Sequence, residues 1–250
     1  MDELYFERTK RLLGDEMMEK IAAARVIIFG VGGVGSWCAE GLVRTGFTHL
    51  TLVDADNVDP TNVNRQLMAT SKTIGRPKAE TLRERLMEIN PKADITAIKA
   101  VYNADSSASF ALDSYDYIID AIDSLKDKVT LMLEATKTGA TLFSSMGAAC
   151  KTDPTKVRVA EFWDVRGCPL GFALRKKMRH NGTLPSKKFL CVYDDEVLPN
   201  LGAPKDEGPV ETPAGKKAAV NGTTAPITAI FGMTLSGLVV RDLQGLCRRP

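Results

Sequence analysis

Residues 26–36 read Val-Ile-Ile-Phe-Gly-Val-Gly-Gly-Val-Gly-Ser, an apolar run that meets four glycines where a strand would turn into a helix. Glycine carries no Cβ, so the backbone amides around Gly30, Gly32, Gly33 and Gly35 can approach phosphate oxygens at a helix N-terminus. A second apolar run, Leu50 to Val53, ends in Asp54, about 20 residues beyond the glycines, where a carboxylate can accept ribose hydroxyls. Taken alone, this pattern suits a nicotinamide dehydrogenase.

The residues that follow favour a triphosphate. Asp56, Asn62, Asn64, Arg65 and Gln66 place a guanidinium and several amides just past the strand end. Gly75-Arg-Pro-Lys78 adds an ammonium at the start of another helix, where a cation opposes the macrodipole and calls for an anion. A further strand, 115–122, runs into Asp123 through Asp120-Ala-Ile-Asp123. A carboxylate at the C-terminal end of a strand lies where open α/β sheets bind ligands, and Asp123 can hold the magnesium of a nucleotide. Each residue has a plainer alternative: a strand cap for Asp54, a turn for Asp56, helix-start decoration for Lys78, a surface pair for Arg65. Together the alternatives would require four coincidences.

Around this core the chain alternates. Strands are expected near 25–30, 48–54, 94–101, 115–122 and 141–146, and helices at 33–46, 77–90, 103–111 and 124–138. This order predicts an α/β fold, Rossmann-like and doubly wound, with a mainly parallel sheet covered by helices on both faces. The expected organisation is a single domain over 1–250, with a helical arm at 1–24, a nucleotide-binding core at 25–150 and an extension at 151–250. In the extension, 156–163 and 189–193 read as strands and 167–180 as a short helix. Residues 198–224 read as a mobile loop crossing near the nucleotide, and 225–246 as a closing helix in which Gly232 and Gly237 permit close packing. Arg248, Arg249 and Pro250 are expected to fray.

Composition sets the wider limits. The chain has 250 residues, 44% hydrophobic and 26% charged, enough for a sizeable core. Met1-Asp-Glu-Leu is acidic and no apolar core follows, so no signal peptide is expected, and the apolar stretch 225–240 reads as a buried helix rather than a membrane span. Five cysteines, Cys38, Cys150, Cys168, Cys191 and Cys247, are widely spaced and form no Cys-x-x-Cys pair, which suggests reduced thiols, a cytoplasmic protein and no zinc. Cys191 reads as a buried small hydrophobe in an apolar strand and Cys168 as the better exposed thiol. From Arg166 to Lys188 the chain carries cations and no Asp or Glu, so Arg175, Lys176, Lys177, Arg179, Lys187 and Lys188 form a candidate phosphate-backbone patch, with a solvated helix face as the alternative.

The glycine loop, Asp54-Ala-Asp56, Asn64-Arg-Gln, Lys78 and Asp120-Ala-Ile-Asp123 together resemble the ubiquitin-activating-enzyme-like adenylyltransferases, the superfamily of the thiamine and molybdopterin sulfur-carrier activators. The resemblance covers most of residues 8–160. Arg11-Leu-Leu-Gly, Gly35-Ser-Trp, Ala121-Ile-Asp-Ser and Asp153-Pro-Thr bring it nearest to the tRNA threonylcarbamoyladenosine dehydratases.

That resemblance implies ATP with Mg2+, a tRNA substrate carrying threonylcarbamoyladenosine, and adenylation of the threonine carboxylate followed by dehydrative ring closure. It implies that the glycine loop, Arg65 and Lys78 hold the phosphates, Asp54 the ribose and Asp123 the magnesium, while Asn62, Asn64 and Gln66 orient the triphosphate. It further implies a homodimer in which Arg11, or else Arg8, reaches the ATP of the partner subunit. A solvated helix arginine is the alternative there. The resemblance also admits a sulfur-relay protein partner and a monovalent cation, sodium or potassium, near the carbonyls after the fifth strand, although no motif demands either. Two other functions fit less well: activation of a ubiquitin-like sulfur carrier, and a non-catalytic RNA- or protein-binding adaptor.

Overall fold

The computed structural model describes residues 4–202, 210–212, 215–217 and 221–247. Seven strands form one sheet in the order β3-β2-β1-β4-β5-β7-β6, where β1 is Arg25–Phe29, β2 His49–Val53, β3 Asp94–Ile98, β4 Tyr117–Asp120, β5 Thr141–Ser145, β6 Arg158–Glu161 and β7 Leu190–Tyr193. All neighbours are parallel except β6, which runs antiparallel to β7. The expected doubly wound, mainly parallel sheet is the fold observed, and the C-terminal extension adds its one antiparallel pair among the seven strands.

Alternate residues of a strand face opposite sides, and both sides of this sheet are apolar. Val26 and Ile28 of β1 enter one core with Leu50, Leu52 and Ile119, while Ile27 and Phe29 enter the other with Val53, Ile118 and Leu142. The first core is covered by α2 (Asp15–Ala23), α3 (Gly35–Thr45), α4 (Lys78–Ile89) and α7 (Ala225–Leu243). The second is covered by α5 (Leu125–Ala135) and α6 (Pro169–Asn181).

The N-terminal helical arm is made of two helices, α1 (Glu7–Leu13) and α2, separated at Gly14. Two local expectations change. The helix expected at 103–111 is replaced by two short 3-10 turns, Ser107–Phe110 and Leu112–Ser114. There the Asn103 side-chain Oδ1 accepts the amides of Asp105 and Ser106, and the Ser106 hydroxyl donates to Val101 O, local bonds that compete with a helical ladder. Inside the stretch read as a loop, β8 (Val210–Thr212) and β9 (Gly215–Lys217) form an antiparallel hairpin. Residues 203–209, 213, 214 and 218–220, on which part of the mobile-loop expectation falls, lie outside the described residues, as does the fraying expected at 248–250.

Helix α7 is long and apolar enough to cross a membrane, yet it packs on α3 and buries Ile227, Phe231, Leu235 and Val239. The contact is close: a Cβ added at Gly232 would sit 2.4 Å from Val34 O and 2.7 Å from Trp37 Cβ, whereas nothing lies within 4 Å of one added at Gly237. Gly232→Ala should therefore lower stability by about 1–3 kcal/mol through overpacking. Gly237→Ala, by contrast, should raise it by up to about 1 kcal/mol through helix propensity. Urea unfolding of the two variants should move the midpoint in opposite directions.

Candidate nucleotide site

Strands β1, β2 and β4 end in register, since Phe29 lies beside both Val53 and Asp120, so the residues that follow them share one edge of the sheet. Gly30, at φ +83°, accepts the turn that an L side chain would resist, and a Cβ there would sit 2.7 Å from Ala121 O. Gly35 begins α3 against the carbonyl of Gly30, where a Cβ would lie 1.9 Å from the oxygen. The loop between them is open on the ligand side: a Cβ at Gly32 would meet only the Gln66 amide, 3.6 Å away. The buried Gln66 Oε1 has no hydrogen-bond partner among the described residues, so the site holds an orphaned acceptor beside the glycine loop.

Asp54 follows β2, and its two carboxylate oxygens accept the amides of Val31 (2.8 Å) and Asp56 (2.9 Å). Burial raises its pKa, opposed by the nearby Lys78 ammonium. Lys78 is itself almost fully buried and donates to Asp56 Oδ2 at 2.7 Å, so the anion called for at this helix start is Asp56. Asn62 is engaged in its own turn, where its side-chain oxygen accepts the Asp59 amide in a capping box. Asn64 donates to Thr223 O at 2.9 Å, tying this motif to the segment that enters α7.

Arg65 lies between the loop and Asp123. Its guanidinium donates to Thr61 O (2.9 Å) and Asn64 Oδ1 (2.8 Å), and its carbonyl accepts Trp37 Nε1 at 3.2 Å. Burial lowers its pKa, while the charge of Asp123 acts in the opposite direction. Asp123 is exposed, three residues past the end of β4. A cation, a carboxylate and an open glycine loop thus converge on one edge, a donor and acceptor set that fits a nucleotide triphosphate. A magnesium ion held by one carboxylate and completed by phosphates also fits, because Mg2+ commonly takes one or two carboxylates and fills its remaining positions from phosphates and water.

Other expected residues fall elsewhere. Arg11 pairs with Glu7 at 2.8 Å on an exposed helix. The start of that helix lies near Gly46, at the end of α3 remote from the glycine loop. Within one chain Arg11 is therefore not part of the site. Arg175 is drawn inside, donating to Phe162 O at 2.9 Å and lying over the Phe162 ring, so its place in the basic patch is corrected. Lys176, Arg179, Lys187 and Lys188 are exposed and Lys177 is half-buried, with Lys187 bonded to the carbonyls of Thr138 and Ala140. Cys168 is buried, contrary to expectation, because it packs in the second core. Cys191 is fully buried and burial raises its thiol pKa well above the ordinary value, which suits the small-hydrophobe reading.

Sequence reasoning missed Lys128. Fully buried, it pairs with the equally buried Asp120 at 2.8 Å and donates to Ile122 O at 3.0 Å. The Ser144 hydroxyl donates to Asp120 Oδ2 at 2.7 Å. This cluster fixes the backbone just before Asp123. The signal was present as a lysine on the face of α5 that also carries Val129, Leu131 and Met132 inward.

The ThiF family profile matches residues 6–249. The chain belongs to the ThiF family. This ThiF-family chain is 35% identical to a Bacillus subtilis protein named tRNA threonylcarbamoyladenosine dehydratase, over 95% of this chain and 94% of that one. The Escherichia coli protein of the same name is 34% identical over 98% and 95% of the two chains. Among solved structures, the Escherichia coli tRNA N6-threonylcarbamoyladenosine dehydratase in complex with ATP superposes with a TM-score of 0.84 at 30% identity, covering 96% of this chain and 94% of that chain. Its complex with AMP gives the same values.

Two outcomes test the supports of this edge. Lys128→Met, which strands a buried Asp120, should cost about 3–5 kcal/mol in urea unfolding, and adding Asp120→Leu should recover most of it. Glu196 accepts the amides of Thr152 (2.6 Å) and Asp153 (3.1 Å) and the Lys156 ammonium (3.1 Å), and these hold its carboxyl down to about 2 from 4.5. A lowered carboxyl pKa stabilises the fold above the ordinary value and loses that effect as pH falls through the window from 4.5 to about 2. The melting temperature of Glu196→Gln should therefore lie below that of the parent at neutral pH and converge on it across that window.

Proposed function

We propose that the protein is an ATP-dependent tRNA-modifying enzyme that acts as a dehydratase on threonylcarbamoyladenosine beside the anticodon. The observation that carries this reading is the convergence of Arg65 and Asp123 on an open glycine loop, in a chain matching named dehydratases over nearly its whole length. A carboxylate resists attack because oxide is a poor leaving group. Its oxygen attacks the α-phosphorus of ATP and pyrophosphate departs. An internal nitrogen or oxygen of the modified base then attacks the acyl carbon and AMP leaves with the former carboxylate oxygen. The net result is loss of water at the cost of ATP.

The chain's own residues position and neutralise, which is most of what such a reaction needs. In this reading amides of the Gly30–Gly35 loop, Arg65 and Lys78 face the phosphates, Lys78 exchanging its Asp56 contact for them. Asp54 receives the ribose, while Asn64 and Gln66 orient the nucleotide, the orphaned Gln66 oxygen being suited to a ligand donor. Asp123 would hold Mg2+, which, when bound, would withdraw charge from the triphosphate. An internal nucleophile makes an enzyme thiol unnecessary, in keeping with the buried Cys191.

The reading extends to a single adenylation domain working in the cytoplasm, where ATP and tRNA meet, and to a homodimer. The exposed Arg11, remote from its own chain's site, supports a role at the partner subunit's nucleotide. The exposed Lys176, Arg179 and Lys188, with the half-buried Lys177 beside them, suit phosphates of the tRNA. A sulfur-relay protein and a monovalent cation belong to the wider proposal on family grounds alone.

Purified protein should release pyrophosphate from ATP only with tRNA bearing threonylcarbamoyladenosine, and Asp123→Ala should slow that release by about a hundredfold or more. Release driven instead by a small protein ending in Gly-Gly would replace this reading with sulfur-carrier activation.

A further inference from the structure

Helix α6 buries Leu174 and Met178 yet leaves Phe172 64% exposed in its first turn. Residues four and seven positions on, Lys176 and Arg179, are exposed on the same face by helical spacing. From Arg166 to Lys188 there is no acidic residue to neutralise this face. Two of the cations gather at Trp163: the Arg179 guanidinium lies 5.2 Å from its ring centroid, and Arg166 donates to its backbone carbonyl at 2.9 Å. The nearest acid to Arg166 is Asp164, at 3.9 Å. The neighbouring Arg175 is held below its usual pKa by burial and then by the charges of Arg166 and Arg179, so the three like charges stand close together.

The position of Phe172 matters as much as its exposure. The first turn of α6 packs on the residues just past β5. A Cβ at Gly171 would lie 3.4 Å from Met146 Sδ, and one at Gly147 would lie 3.6 Å from Leu170 Cβ. Strand β5 is the direct neighbour of β4, whose end leads to Asp123, with Ser144 beside Asp120. An exposed aromatic ring therefore stands on the same edge as the proposed reaction centre, at the head of a row of cations.

We propose that Phe172 is a stacking platform for an unpaired nucleobase of the tRNA, with Lys176 and Arg179 holding the phosphates that follow it. This rests on the tRNA reading above. Proteins read RNA sequence mainly in loops, where splayed bases stack on aromatic rings, and every base offers such a face. A helix face that carries cations and no acid of its own complements a phosphate backbone, and an aromatic ring set among the cations supplies what phosphates cannot, a grip on the base beside the one being modified. The inference assigns Phe172 to substrate recognition, not to chemistry.

The test uses the full chain and a synthetic anticodon stem-loop RNA carrying threonylcarbamoyladenosine, with binding read by fluorescence anisotropy over a salt series. Phe172→Ala should weaken binding roughly tenfold with an unchanged salt slope, and Phe172→Trp should restore it. Lys176→Ala should reduce the slope by about one. The melting shift produced by ATP should be the same in all three variants, showing the nucleotide site intact. Equal affinity of Phe172→Ala and the parent would overturn the proposal while leaving the tRNA reading standing. So would a loss of affinity accompanied by a change in oligomeric state, because it would place Phe172 between copies of the chain. Failure of the parent itself to bind the stem-loop, with ATP still raising its melting temperature, would overturn both.

Discussion

The carbonyl of Gly30 sits so near the start of α3 that no side chain fits at Gly35. That backbone-to-backbone contact determines the rest of the site. It brings the first turn of the helix directly onto the end of β1, so the positive end of the helix dipole faces the same space as the ends of β2 and β4. The conformation of Gly30 and its fit beneath Ala121 O complete the constraint. With the turn fixed, Asp54 is held by the Val31 amide, and Arg65 is placed across the loop through Trp37. Sequence spacing alone is a weak motif, but the steric requirement behind it is strict.

A second constraint acts through charge. The edge holds Asp54, Asp56 and Asp123 against Lys78 and Arg65, and deeper in, Asp120 against Lys128. Burying single charges there would be prohibitive, so each cation has a carboxylate within reach. The buried pair braces the backbone ahead of Asp123, while Lys78 and Arg65 stand beside carboxylates, Asp56 and Asp123, that are open to solvent.

Much of this was legible in the residues. Apolar strand runs, the alternation of elements and the glycine spacing predicted the doubly wound sheet, because parallel strands buried on both faces leave a plain signature. The loop motif was legible because its residues are close in sequence. What escaped was long-range or competitive. Asn62 looked like a ligand but caps its own turn, Arg175 looked like surface charge but packs on Phe162, and the stretch 103–111 looked helical until Asn103 and Ser106 captured its backbone. Lys128 was overlooked because a lysine in a helix usually faces solvent, and only the tertiary fold shows its partner, eight positions upstream on the preceding strand.

Helix α7 gives the fold a temporal order. Thr228 reaches Arg65 O across 163 positions of sequence, at 3.5 Å, and a Cβ at Gly33 would lie 3.0 Å from the Thr228 methyl group. A nascent chain that has formed β1, α3 and β2 therefore presents a glycine loop without its back wall, and α3 keeps the apolar side that α7 will cover bare until residue 243 has left the ribosome. Closing so long a loop is entropically costly and slow, which puts the native packing of the first motif made among the last events of folding.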